Sequence, residues 1–402
     1  MLGINPKSVA LLAVTVILSL GLAGCSHFRV KPADAYVYVT AKEDTLRDRV
    51  APVSNRTGTV SNGEKLVVLE RARRFVKVRT PRGEVGWIKE KNVADQGLAD
   101  QFEALRLKHL SDRAITSAAT RDEVYMHIAP GLKTDRFFLL AEGDKLSLLG
   151  RATIAKPVTP GAATPATKPA GNGRAGKAGA GKDAAADQPE GPPAPVMEDW
   201  WLVRDAKGDT GWLYSHLIDV DAPDTLVRYA EGQRIIGAYV LTMVDDPDSG
   251  ILNNGQTVTS IPEYLTLLSP YKAGLPYDFN QVRVFIWNTK KHRYETAFRE
   301  HNIAGYLPVV VGANIDPYGH APNSAIQLPA FSYRVLAGDA SIPTPDPVTG
   351  IYSPAKTIEK TYRLEGNICR RILIAPGTEP PAEAHPDPEP EKKAKEAKKR
   401  RR

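Results

Sequence analysis

Cysteine and histidine are the residues of this 402-residue chain most able to act as nucleophile, base or soft metal ligand. The chain has two cysteines, Cys25 and Cys369. A cysteine–histidine hydrolase needs an exposed thiolate beside an imidazole, usually at a helix start. Cys369 follows Ile368 in Arg363-Leu-Glu-Gly-Asn-Ile-Cys-Arg370, where a small buried residue is expected. The histidines, at 27, 109, 127, 216, 292, 301, 320 and 385, show no His-x-x-x-His or Glu-x-x-His spacing. Two cysteines cannot make a four-thiolate zinc site. There is no Gly-x-Ser-x-Gly elbow, phosphate loop or dinucleotide fingerprint. Asp245-Asp-Pro-Asp-Ser-Gly250 could offer carboxylate oxygens to calcium, but it lacks a twelfth-position Glu. The same residues suit a turn between strands. The chain therefore reads as no enzyme, with no catalytic residue, metal or cofactor assigned.

Charge narrows the partners. Of the formal +7, six charges belong to residues 391–402, with eight basic and two acidic side chains. The rest is close to neutral, so a folded nucleic-acid-binding body is excluded. Near a bilayer such a cluster gains about 1 kcal/mol per cation from anionic head groups. Anionic lipid is the partner expected for this tail, and simple solubilisation is the alternative.

Residues 9–22 form an apolar run, short of the roughly twenty needed to span a bilayer. The run ends in Leu22-Ala23-Gly24-Cys25. This start resembles the lipobox of bacterial lipoproteins, in which cleavage precedes an acylated cysteine. The resemblance implies a signal peptide over 1–24, lipidation at Cys25 and a membrane anchor followed by a linker over 25–35. Ser26, rather than the family's retention Asp, implies an outer membrane facing the periplasm in a Gram-negative cell.

The mature chain opens with short β-type runs, Leu66-Val-Val-Leu69, Phe75-Val-Lys-Val78 and Val85-Gly-Trp-Ile88, separated by turn residues. The pattern returns. Asn62-Gly-Glu-Lys-Leu-Val-Val-Leu69 matches Glu142-Gly-Asp-Lys-Leu-Ser-Leu-Leu149, and Phe75-Val-Lys-Val-Arg79 matches Trp200-Trp-Leu-Val-Arg204. Arg82-Gly-Glu-Val-Gly-Trp87 matches Lys207-Gly-Asp-Thr-Gly-Trp212, and Leu46 through Pro52 aligns with Val124 through Pro130. These blocks resemble the bacterial SH3 (SH3b) domain, over about residues 36–93 and 114–219. The resemblance implies two small barrels that bind cell-wall peptide or glycan, or that display a further domain. Where the family often has Trp the first repeat has Phe75. The late Gly-Trp pairs read as a close backbone approach capped by an indole.

Residues 154–196 are Ala, Pro, Gly, Lys and Thr with almost no large apolar side chain, so this stretch is expected to be a disordered excursion inside the second repeat. Between the repeats, over 94–113, Leu98, Phe102, Leu105, Leu107 and Leu110 stand among charged residues at a spacing that mostly fits one helical face, which predicts a connecting helix that packs on a barrel. Aromatic residues able to face a ligand are Tyr38, Tyr125, Trp200 and Trp201. Trp87 and Trp212 are expected to be structural, and one of Trp200 and Trp201 exposed, because neighbouring strand residues face opposite ways.

Residues 224–376 give six to eight further strand candidates, the clearest a hairpin of 282–287 and 293–298, and resemble no recognised family. A disordered Pro/Glu then Lys/Arg tail fills 377–402. The expected fold is all-β: two SH3-like barrels joined by a short helix, then a β-rich sandwich or open barrel. The expected function is that of a non-catalytic, lipid-anchored envelope protein with peptidoglycan as partner. A scaffold docking other envelope proteins is the alternative, and a cell-wall hydrolase in the C-terminal domain a third.

Overall fold

The computed structural model describes residues 35–157, 195–316, 325–373 and 379–386. The signal segment with Cys25, most of the 154–196 stretch and the Lys/Arg cluster lie outside the described residues. The chain splits into two compact units after Gln96. Among the described residues no helix is long and apolar enough to cross a membrane.

Unit 1 is built from β1 (Tyr36–Val39), β2 (Glu43–Arg47), β3 (Arg56–Ser61), β4 (Lys65–Ala72), β5 (Phe75–Arg79), β6 (Val85–Lys89) and β7 (Val93–Asp95). They form one antiparallel sheet in the order β3-β2-β6-β5-β4-β1-β7. Alternation along the strands turns Val37, Val39, Leu46, Val60, Leu66, Val76, Val78 and Ile88 into a single dry core. Ala94 and Asp95 pair with Tyr38 and Val37. They belong to the barrel and not to the connecting segment expected from residue 94, because the buried Ala94 methyl closes it.

Unit 2 opens with α1 (Gln96–Lys108), whose first residue ends unit 1. There follow β8 (Thr116–Thr120), β9 (Val124–His127), β10 (Arg136–Leu140), β11 (Lys145–Ala155), β12 (Met197–Asp205), β13 (Thr210–Tyr214) and β14 (Ile218–Val220). Their order, β10-β9-β13-β12-β11-β8-β14, repeats that of unit 1 strand for strand. Strand pairing carries on through the start of the expected excursion. Ile154 opposes Glu198, Ala155 opposes Met197, and the Lys156 amide donates to Val196 O at 2.7 Å. These end residues are therefore ladder, held there because Ile154 packs on the apolar cluster beneath it.

The remainder comprises α2 (Asp224–Val227), β15 (Arg234–Asp245), the small hairpin β16 (Leu252–Asn253) and β17 (Gln256–Thr257), β18 (Ser260–Ser269), β19 (Phe279–Asn288), β20 (Arg293–Asn314), β21 (Leu328–Leu336), β22 (Thr357–Glu365) and β23 (Ile368–Ile372). Strand order here follows chain order, an antiparallel meander β15-β18-β19-β20-β21-β22-β23. It is a single curled sheet and no two-sheet sandwich. Ile236 and Leu241 of β15 share one core with Phe331, Tyr333 and Tyr362 from the far side of the sheet. Residues 379–386, expected in a disordered tail, return to this meander, with Glu383 opposite Ala337.

A candidate ligand-binding face

The shared topology gives every position of one barrel a counterpart in the other. Arg47 opposes Trp87, which opposes Lys77; His127 opposes Trp212, which opposes Leu202. Phe75 lies between Lys89 and Ala72, as Trp200 lies between Tyr214 and Ala152. The ladders equate Leu46 with Met126, so the sequence alignment of Leu46 with Val124 is two residues out. Its Ala-Pro anchor lies in a loop of eight residues in both barrels, 48–55 and 128–135, and the Ala-Pro pair simply stands two residues earlier in the second. Met126 and Leu46 each meet the glycine before the late Trp.

The outer face so defined differs sharply between the two barrels. In the second, Leu149, Ala152, Trp200, Leu202 and Trp212 form a buried cluster with Leu105 of α1 and Tyr214. Phe102 packs on Phe137 and Phe138 with centroids 5.7 and 5.5 Å away. Arg204 caps the end of α1, donating to the carbonyls of His109, Leu110 and Asp112, where a cation also meets the negative end of the helix dipole. In the first barrel the counterparts are Leu69, Ala72, Phe75, Lys77, Trp87 and Lys89. Leu69 is 40% exposed where Leu149 is 9%. Two replacements, Leu202 by Lys77 and Tyr214 by Lys89, turn a helix-docking patch into a cationic and aromatic strip. Lys77 Nζ stands 5.8 Å from the Trp87 ring, and Lys65 Nζ stands 3.9 Å from that of Tyr36. Arg47 borders the strip, and Glu70 opposite Lys77 is the acid within it.

The four aromatic candidates are not brought together. Tyr38 is half-buried on the open face of the first barrel, with its hydroxyl donating to Gln96 Oε1 at 3.0 Å. Tyr125 lies on β9 with the Arg136 guanidinium 4.6 Å from its ring centre. Trp200 and Trp201 are both buried, at 0% and 6% exposure, against the expectation that one would be free. They do face opposite ways; each side is simply covered. Trp201 takes the core position of Val76, and Trp200 lies under α1 with His127 at 5.2 Å and Tyr214 at 5.6 Å. Trp87, expected to be purely structural, is half-exposed on the open strip. The missed signal was the pair Lys77 and Lys89, which stands where the repeat has Leu202 and Tyr214.

A buried ion network fixes the second barrel to the meander. Asp199, fully buried, accepts from Thr153 Oγ1 at 2.7 Å and the Gly274 amide at 3.1 Å. Its other oxygen pairs with Arg151 at 3.4 Å and Arg234 at 3.3 Å. Arg151 continues to Asp278 at 3.0 Å and to the carbonyls of Leu275 and Tyr277. Gly350, at φ +71°, brings its carbonyl to the Thr153 amide at 2.7 Å, and a side chain there would strike Thr153 O.

Residues 45–94 match the family model described as Bacterial SH3 domain. They are a bacterial SH3 domain. Such a domain suggests cell-wall binding. No curated protein sequence matches the chain. Among solved structures, an NlpC/P60 family protein from Bacillus cereus ATCC 10987 is similar over 65% of this chain and 98% of its own, at 11% identity and a TM-score of 0.20. NlpC2 from Trichomonas vaginalis is similar over 65% and 91%, at 8% identity and a TM-score of 0.14.

Two of the groups weighed in the sequence, Cys369 and the Asp245–Gly250 stretch, are tied into the meander. Burial pushes the Cys369 thiol up to about 12, and its side chain packs on the meander core. At pH 8 that leaves about a thousandfold less thiolate than in an ordinary cysteine, so iodoacetamide should label Cys369 about a thousandfold more slowly in the folded chain than in urea. Mass spectrometry of timed aliquots checks this, and comparable rates would show the thiol to be reactive. In the Asp245–Gly250 stretch, Asp246 accepts from Trp287 Nε1 at 2.7 Å and from His292 Nδ1 at 2.8 Å, holding the β19–β20 hairpin. These bonds, the indole's foremost, hold its carboxyl below the usual range. Among the described residues no group of three His, Cys, Asp or Glu is placed to hold a metal.

Proposed function

We propose that this chain is a non-catalytic envelope lipoprotein, anchored through Cys25, whose first barrel binds the cell wall through the Arg47, Phe75, Lys77, Trp87 and Lys89 strip. The observation that carries this reading is the contrast between the duplicated barrels. The second, which we read as a further bacterial SH3 domain from its identical strand order, has its face closed by α1. The first carries cations and half-buried rings at the same positions. Carboxylate groups on wall peptides suit ammonium and guanidinium groups, and sugar faces suit exposed rings. Lipidation and an outer-membrane address rest on the lipobox resemblance, and the absence of catalysis on the lack of a nucleophile–base pair in the sequence.

Sedimentation of residues 26–402 with isolated peptidoglycan tests the wall reading. Lys77→Glu combined with Lys89→Glu is expected to lower the retained fraction about tenfold, and raised salt to act in the same direction. Lys145→Glu, on the second barrel, should leave retention unchanged. Equal retention of the double variant would remove the first barrel from wall binding.

A further inference from the structure

Residues 379–386 lie along the end of β21 as a short extended strap. The Gly338 amide donates to Ala382 O at 2.7 Å, and the Ala384 amide donates to Leu336 O at 3.0 Å. Between these two bonds the Glu383 side chain turns inward. Its carboxylate is 2.8 Å from Lys360 Nζ and 3.8 Å from Arg371 Nη1. Lys360 is 3% exposed and also pairs with Glu300, which accepts the hydroxyls of Tyr333 and Tyr362. One fixed carboxylate and one carried by the strap thus share a buried ammonium group. Beside the strap is an open cavity of about 650 Å³, with Ala337, Ile358, Ile372, Leu373, Pro380 and Pro381 as its apolar wall and Asp339, Lys356, Glu359, Arg371 and Glu379 as charged groups on the same lining. The two proline rings border this space and do not fill it, so part of its apolar wall is left facing solvent.

We propose that this groove is a recognition site for an extended acidic segment of a partner protein, with Ala382-Glu383-Ala384 as its resident, displaceable occupant. A partner's glutamate would meet Lys360 and Arg371. A bulky apolar residue two positions earlier, on the same face of an extended chain, would enter the cavity. Main-chain bonds to Leu336 and Gly338 would hold the backbone as they hold the strap, the strand-addition mode of peptide binding. Displacement is open to a competitor because residues 379–382 are exposed and contribute little of their own burial. This site is separate from the wall-binding strip and does not depend on it.

The probe is a labelled eight-residue peptide copying residues 379–386 with leucine in place of Pro381, followed by fluorescence anisotropy on the full chain. The Glu383→Gln chain, whose resident segment loses its charge-assisted contacts, should bind it about ten- to a hundredfold more tightly than the natural chain. A peptide of unaltered sequence should bind more weakly than the leucine peptide. Gly338→Val should bind neither, since an added Cβ meets the position of Ala382 O at 3.0 Å and of its carbonyl carbon at 3.1 Å. On the natural chain, a saturating amount of the leucine peptide should detach the strap, read as lost hydrogen-exchange protection at the Ala384 amide. Unchanged protection at saturation, or undiminished binding by the Gly338→Val chain, overturns the proposal.

Discussion

Asp199→Ala should lower the stability of the second unit by about 3–5 kcal/mol, a shift of about 10 °C in its thermal transition. The substitution removes an acceptor that is wholly shielded from water and leaves Arg151 and Arg234 without the carboxylate they share. Arg151, at 5% side-chain exposure, keeps Asp278 but cannot move into solvent. The cost of stranding a buried charge exceeds what the pair contributes when whole, because the desolvation penalty stays after the attraction is gone. Asp199→Asn should fall between the two, since an amide oxygen can still accept from Thr153 and Gly274 but carries no charge. Differential scanning calorimetry of the full chain resolves the units, and the first barrel's transition should not move. A shift below about 1 kcal/mol would mean that apolar packing alone joins the second barrel to the meander.

That network was not legible in the sequence, where nothing marks Glu198-Asp199, ahead of two tryptophans, as a pair to be buried. Strand periodicity says which way a side chain points and nothing about what arrives from elsewhere to cover it. The two tryptophans show the same limit: their opposite orientation followed from alternation, while the burial of Trp200 depends on Leu105 nearly a hundred residues earlier. By contrast the repeat was legible, because Gly-Asp/Glu-Lys-Leu joins a positive-φ turn glycine to the start of a strand and Gly-Trp sits on a ladder, places where backbone geometry limits the choice of residue. The alignment slipped only at Leu46, where the anchor chosen was a loop, in which a residue pair can change place without moving the strands on either side. In the meander most strands could be read from their own apolar runs, but β20 runs on through Arg299-Glu-His-Asn302, well past the 293–298 expected of it, and the choice between sandwich and curled sheet rests on long-range pairing that no local pattern encodes. The open strip was half visible. Phe75 and Trp87 stood out as aromatic residues, yet the decisive residues were Lys77 and Lys89, and only the register against Leu202 and Tyr214 shows what they replace.

Gly86→Val should sharply lower wall retention while leaving the second unit intact. The residue before Trp87 lies where β6 crosses β2, and an added Cβ would stand 2.4 Å from Thr57 Oγ1, 2.7 Å from Leu46 Cβ and 3.1 Å from the Arg47 amide. Two of these neighbours cannot swing aside, one being backbone and the other the root of a fully buried core residue. Relief requires β2 to separate from β6, which parts Arg47 from Trp87 and opens the core at Leu46. Overpacking of this kind costs about 1–3 kcal/mol or more. A barrel of some 60 residues has only a few kcal/mol to lose, so it should unfold in part at 37 °C. Gly211→Val is the matched control. Its Cβ would meet Met126 Cβ at 2.7 Å and His127 O at 3.2 Å, the same crossing in the second barrel. That variant should lower the melting temperature of unit 2 yet sediment with peptidoglycan as the natural chain does. The reverse pattern, with retention lost in Gly211→Val and kept in Gly86→Val, would assign wall binding to the second barrel and leave the cationic strip of the first without a ligand.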